Sequence, residues 1–88
     1  MWFAYALRSN VDGGLYVGMT SRLEERIKEH NAGSNRSTRP RLPLELVYAE
    51  RFDSRSEARN REKYLKSGVG REFLKKVVAE NLERKGSN

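Results

Sequence analysis

The chain has 88 residues, no cysteine, and 18 lysines and arginines against 12 aspartates and glutamates, for a formal net charge of +6. That length allows one domain with one modest core, and the missing cysteines exclude disulfides and thiolate zinc sites, in keeping with a reducing, cytoplasmic setting. No apolar run approaches the roughly 20 residues of a membrane span, and the positive charge points to an anionic partner, nucleic acid first, unless the basic surface serves solubility alone.

Residues 2–8, "WFAYALR", are predicted as a central strand with Phe3, Tyr5 and Leu7 on one face and Trp2, Ala4 and Ala6 on the other. This apolar start lacks a basic leader and a small-residue cleavage site, so it reads as a strand and not as a signal peptide. "NVDGG" supplies turn signals and "LYVGM" a second short strand, giving an antiparallel hairpin in which Gly18 is expected to close the second strand. A helix follows, with Thr20 or Ser21 as its cap, Ser21 and Glu24 as a capping-box pattern and Gly33 as its stop. At about 100° per residue, Leu23 and Ile27 define its inward face, His30 falls between them, and Arg26 lies about 60° to one side. A helix that turns a guanidinium and an imidazole toward its apolar side is either satisfying a buried polar network or building a site.

Residues 33–43, "GSNRSTRPRLP", form a basic loop whose Arg36, Arg39 and Arg41 can follow a phosphate backbone. No aromatic is interleaved with them, so neither a stacking platform for single-stranded bases nor a base-reading code is expected. "LELVYAERF" is the third strand, and "DSRSEARNREKYLKSG" a second helix with Ser54 and Glu57 as its capping box and Gly68 as its end. "GREFLKKVVAENL" is a third helix with Phe73, Leu74, Val77 and Val78 on one side. One domain is expected over residues 1–83, followed by a polar, fraying tail over residues 84–88. The order β-β-α-β-α-α gives an α+β fold, a small sandwich of one sheet whose faces the helices must cover.

On the second helix Ala58 and Leu65 mark the inward stripe, and Glu62 lies about 40° from the first and 60° from the second. A carboxylate aimed there is costly to desolvate, so it needs a partner: a metal ion, Arg26, His30 or a tyrosine hydroxyl. The plain structural alternative is an inward ion pair between Glu62 and Arg26. Tyr5 and Tyr16 sit on neighbouring strands, and Tyr16 is two residues before Gly18, where a missing side chain permits close approach.

"FAY" at Tyr5, "YVG" at Tyr16 to Gly18, "RIKEH" with Arg26 and His30, and "SRSEARNREKYLK" with Glu62 together resemble the GIY-YIG nuclease superfamily over Trp2 to about Leu82. The likeness is to its small stand-alone bacterial members, related to the N-terminal nuclease domain of the excision-repair protein UvrC. The resemblance implies a three-stranded antiparallel sheet flanked by helices and a DNA-cleaving site that uses one divalent metal, Mg²⁺ or Mn²⁺, with Glu62 as the metal ligand. It further implies that Tyr5 activates or positions the attacking water, with Tyr16 as a second hydroxyl nearby. Arg26 would neutralise charge building on the scissile phosphate, and His30 would orient a phosphate oxygen or the tyrosine hydroxyl. Where some members place a histidine or tyrosine beyond the helix histidine, this chain reads "STRP", with Ser37, Thr38 and Arg39. A later asparagine of larger family nucleases has no counterpart in "KSGVGREF".

The leading expectation is therefore a metal-dependent endonuclease acting on DNA in a structure-directed, damage-directed or non-specific way. A non-catalytic DNA- or RNA-binding module of the same fold is the alternative. A protein-interaction adaptor presenting "REKYLKSGVGREFLKK" is a third, and a targeting protein partner is an open possibility.

Overall fold

The computed structural model of the chain describes the backbone of residues 1–86 and the side chains of residues 1–81. The alternation in the first strand gives the sheet two working faces. Strand β1 (Trp2–Ser9) lies between β2 (Leu15–Thr20) and β3 (Leu44–Phe52), antiparallel to both. Ala4 and Ala6 point to one side, where they pack with Val17 against Leu65 of helix α2 (Arg55–Lys66) and Leu74 of helix α3 (Gly68–Gly86). Tyr5 and Leu7 point to the other, packing with Leu44 against Leu23 and Ile27 of helix α1 (Leu23–Asn31). The element order and sheet are those expected from the sequence.

Small side chains at Ala4 and Ala6 let α2 and α3 lie close to the sheet, and a bulge in β3 fills the space beside them. The β1–β3 register steps from Ala6 opposite Tyr48 to Leu7 opposite Leu46, which lets Val47 and Tyr48 both join the α2–α3 core. Arg61 ties the layers together: its Nε donates to Glu50 Oε1 at 3.0 Å while its guanidinium stands over the rings of Tyr64 and Phe73. No helix among the described residues is long and apolar enough to cross a membrane.

Several local details differ from the sequence expectations. Arg22, not Thr20 or Ser21, occupies the cap of α1, and no side chain caps it; Thr20 Oγ1 accepts instead from the Arg22 N–H at 3.1 Å. Strand β2 runs on to Thr20, so Gly18 lies inside it and does not close it. The Ser54 cap of α2 forms as expected, its Oγ accepting from the Glu57 N–H at 3.2 Å and donating to the Glu57 carboxylate at 2.8 Å. Gly68 opens α3, with Ser67 between the two helices. The backbone of α3 continues to Gly86, through the first part of the segment read as a polar tail; residues 87 and 88 lie outside the described residues.

The close joint between α2 and α3 rests on Gly70. A Cβ there would collide with the Tyr64 carbonyl oxygen and stand 2.6 Å from Leu65 Cα, backbone atoms that no rotamer change can move. Gly70→Ala is expected to destabilise the protein by about 3 kcal/mol, measured as a lower denaturant midpoint with an unchanged slope.

Candidate active site

The face of the sheet that carries Tyr5 also carries Tyr16, because Leu7 is paired with Tyr16 and Tyr5 with Gly18 across β1 and β2. The Tyr5 ring extends over the bare Cα of Gly18: a Cβ there would meet the Tyr5 hydroxyl at 2.6 Å and Cζ at 2.8 Å. Helix α1 lies on this face, anchored by Leu23 and Ile27, and brings His30 inward at its last turn. The chain then leaves through Gly33, whose N–H donates to the His30 carbonyl at 3.0 Å.

His30 has no exposed surface and Tyr5 only 1%. His30 Nε2 is 3.5 Å from the Tyr5 hydroxyl, its Nδ1 is 3.1 Å from Thr38 Oγ1, and its ring meets the edge of Tyr16 with centroids 4.8 Å apart. Burial, then the Arg26 charge, holds the imidazole below the ordinary histidine range, with Glu29 acting against both. Burial likewise pushes the Tyr5 hydroxyl above the ordinary tyrosine value, opposed by the neighbouring Arg26 guanidinium. At neutral pH the floor of the site is thus an uncharged phenol beside an uncharged imidazole.

The unfolded chain binds a proton on its single histidine at about pH 6.5, whereas folded His30 does so only at lower pH. The stability contributed by neutral His30 is therefore fully present above that pH and lost as pH falls below it. Denaturant unfolding is expected to give a lower free energy at about pH 5.5 than at about pH 7.5, with most of that slope removed in His30→Gln.

Arg26, on α1, and Glu62, on the helix that covers the opposite face of the sheet, are less deeply buried. The Arg26 side chain is 38% exposed and pairs with Glu29 at 3.3 Å, on its own helix. The Glu62 side chain is 16% exposed, and Lys66 Nζ approaches its Oε2 at 3.3 Å. The ion pair between Glu62 and Arg26 that helical phase allows is not formed; each residue takes a local partner one turn away. The Glu62 charge nonetheless bears on Tyr5, raising it further. The donor set fits a hard divalent cation held by one carboxylate, since such an ion keeps several waters and takes substrate oxygens. No cluster of three or more histidine or acidic side chains able to hold a metal occurs among the described residues.

The arginines of the basic loop are unequal. Arg39 Nε donates to the Gly33 carbonyl at 2.9 Å, and Arg41 lies 3.8 Å from Asp12, while Arg36 is exposed. The loop itself is pinned: Ser9 Oγ donates to the Arg41 carbonyl at 2.6 Å, Asn10 N–H to the Pro43 carbonyl at 3.0 Å, and the Asn31 side chain bridges the backbone of Leu44.

Two features escaped the sequence reading. Thr38 is 1% exposed in a run of exposed residues and reaches His30, a long-range contact that no local periodicity marks. On α2, Arg55, Arg59 and Lys66 share the helix face of Glu62, within about 60° of rotation. Their spacing of four and seven residues was a signal available in the sequence.

The family model for the GIY-YIG catalytic domain matches residues 1–76. The chain is similar to the UPF0213 protein of Natronomonas pharaonis, 44% identical over 79 residues that cover 89% of this chain and 91% of the relative. It is also similar to the UPF0213 protein of Clostridium perfringens, 38% identical over 94% of this chain and 89% of the relative. Among solved structures it is similar to the solution NMR structure of a UPF0213 protein from Bacillus halodurans, with a TM-score of 0.53, 34% identity, and coverage of 88% of this chain and 85% of the other.

Proposed function

The chain belongs to the GIY-YIG catalytic-domain family, and on that premise we propose that it is a metal-dependent endonuclease hydrolysing phosphodiester bonds in DNA. The observation that carries this reading is the convergence of Tyr5, Tyr16, Arg26 and His30 from two strands and a helix on one face, with the Glu62 charge acting on Tyr5.

In this reading the Tyr5 hydroxyl, held neutral by burial, accepts a hydrogen bond from the attacking water and positions it, with His30 orienting that hydroxyl. Tyr16 flanks the imidazole and offers a second hydroxyl. Arg26 turns its planar fork of donors to the phosphate oxygens as charge builds on them, a task a lysine performs less well. Glu62 would hold Mg²⁺ or Mn²⁺, with the half-exposed Lys66 swinging away. When bound, such an ion polarises the phosphoryl oxygen and lowers the pKa of coordinated water.

Arg36 in the loop and Arg55, Arg59 and Lys66 on α2 offer cations to flanking phosphates. Contacts of this kind give affinity that falls steeply with salt and carries no sequence information. Substrate choice would then be structure-directed, damage-directed or non-specific, with a targeting protein supplying further selection. The absence of cysteine favours a cytoplasmic setting.

Incubating the protein with supercoiled, branched, single-stranded and damaged DNA in Mg²⁺ or Mn²⁺ tests the proposal. Cleavage of at least one, abolished by chelation, is expected; intact DNA in every case would overturn it. The near-complete burial of Tyr5 and His30 favours a second reading, a DNA- or RNA-binding module in which these residues are a structural polar network. Salt-sensitive binding with no cleavage would select it.

A further inference from the structure

The basic loop contains one fully buried side chain. Thr38 reaches inward from "RSTRPR", and its Oγ1 lies 3.1 Å from His30 Nδ1. Its place is set by Asn35, whose carbonyl accepts from Arg39 N–H at 3.1 Å and whose side chain accepts from Ser37 N–H at 3.0 Å. Thr38 Oγ1 also lies 3.3 Å from the Asn35 carbonyl, as donor to it.

Counting protons fixes the direction of this chain. The Tyr5 hydroxyl has one proton, and the one hydrogen-bond partner shown for it among the described residues is His30, while Arg26, Tyr16 and Glu62 act on it through their charges. A guanidinium only donates, so the acceptor for the Tyr5 proton is His30 Nε2. In a neutral imidazole the ring proton is then on Nδ1, donated to Thr38 Oγ1, and the Thr38 hydroxyl donates onward to the Asn35 carbonyl. The opposite tautomer would leave the buried Tyr5 proton without an acceptor, the more costly arrangement.

We infer that Thr38 is a positioning residue, which holds His30 in its Nδ1–H tautomer so that the Nε2 lone pair faces Tyr5. With its proton committed to Nε2, Tyr5 keeps its own lone pairs for Arg26 and for an incoming water. The catalytic consequence rests on the nuclease reading; the tautomer is a property of the free protein.

Because His30 is the chain's single histidine, long-range proton–nitrogen NMR spectra of protein labelled with ¹⁵N at histidine contain only two ring nitrogens to assign. The wild type is expected to show a protonated Nδ1 and an unprotonated Nε2. Thr38→Val, which keeps shape but offers no acceptor, is expected to shift the population toward Nε2–H, and Thr38→Ser to restore the wild-type pattern. In cleavage assays Thr38→Val is expected to lower kcat roughly tenfold with KM little changed, and Thr38→Ser to recover it.

A wild-type spectrum with the proton on Nε2 overturns the inference, even if neither variant folds. So does a folded Thr38→Val protein whose spectrum matches the wild type. The expected spectra from a protein that cleaves no DNA would uphold the tautomer assignment while overturning the nuclease reading.

Discussion

Replacing Gly18 with alanine is expected to cut cleavage about a hundredfold and to cost about 2 kcal/mol of stability. The added methyl would stand 2.6 Å from the Tyr5 hydroxyl and 2.8 Å from Cζ. The Tyr5 ring is packed against Leu7 and Leu44, so it cannot swing into solvent to make room, and the strand register that sets it over Gly18 is shared with the rest of β1. Relief comes only by moving the ring off Gly18, which breaks the 3.5 Å approach to His30 and carries the hydroxyl away from Arg26. Gly68→Ala is the control, because a Cβ at that position meets nothing within 4 Å. Single-turnover cleavage and denaturant unfolding of both variants check the prediction. Wild-type cleavage by Gly18→Ala would show that the position of Tyr5 does not matter to the reaction.

Glu62→Ala is expected to abolish metal-dependent cleavage while leaving the fold and DNA binding in place. Its interaction with Lys66 is an i,i+4 pair whose lysine is half exposed, of a kind that contributes about 0.3–0.5 kcal/mol. Removing it deletes one negative charge from a helix face that also presents Arg55, Arg59 and Lys66. Binding to DNA in metal-free buffer should therefore be retained or slightly tightened. Cleavage is expected to be lost, because in the proposed mechanism this carboxylate holds the metal and the described residues offer no cluster of acidic or histidine side chains to replace it. The paired measurements are cleavage in Mg²⁺ or Mn²⁺ and binding with chelator present. A variant that still cleaves would remove Glu62 from the role of metal ligand.

Much of the fold was legible because it depends on local periodicity. The two faces of β1, the nine residues of β3 and the Ser54 cap of α2 follow from alternation and capping chemistry that neighbouring residues encode. The inward turn of His30 was likewise visible from helical phase. What local pattern could not supply was which partner each inward group would find. Arg26 and Glu62 were both placed near the core by phase, yet Glu29 and Lys66 stand one turn away on the same helices and capture them. Gly18 was legible as a point of close approach but was misplaced at the strand's end, since only the β1–β2 register shows which ring it admits. Thr38 looked like one more polar loop residue because its burial depends on Ser9, Asn10 and Asn31 pinning the loop from elsewhere in the chain.

Metal-dependent hydrolysis through Glu62 is read out by nicking of a supercoiled plasmid by the wild type and by Glu62→Ala, each in Mg²⁺, in Mn²⁺ and with chelator. Nicking by the wild type in metal alone, absent from a folded, DNA-binding Glu62→Ala, is expected. Equal nicking by both proteins, or no nicking by a wild type that binds the plasmid, would contradict it.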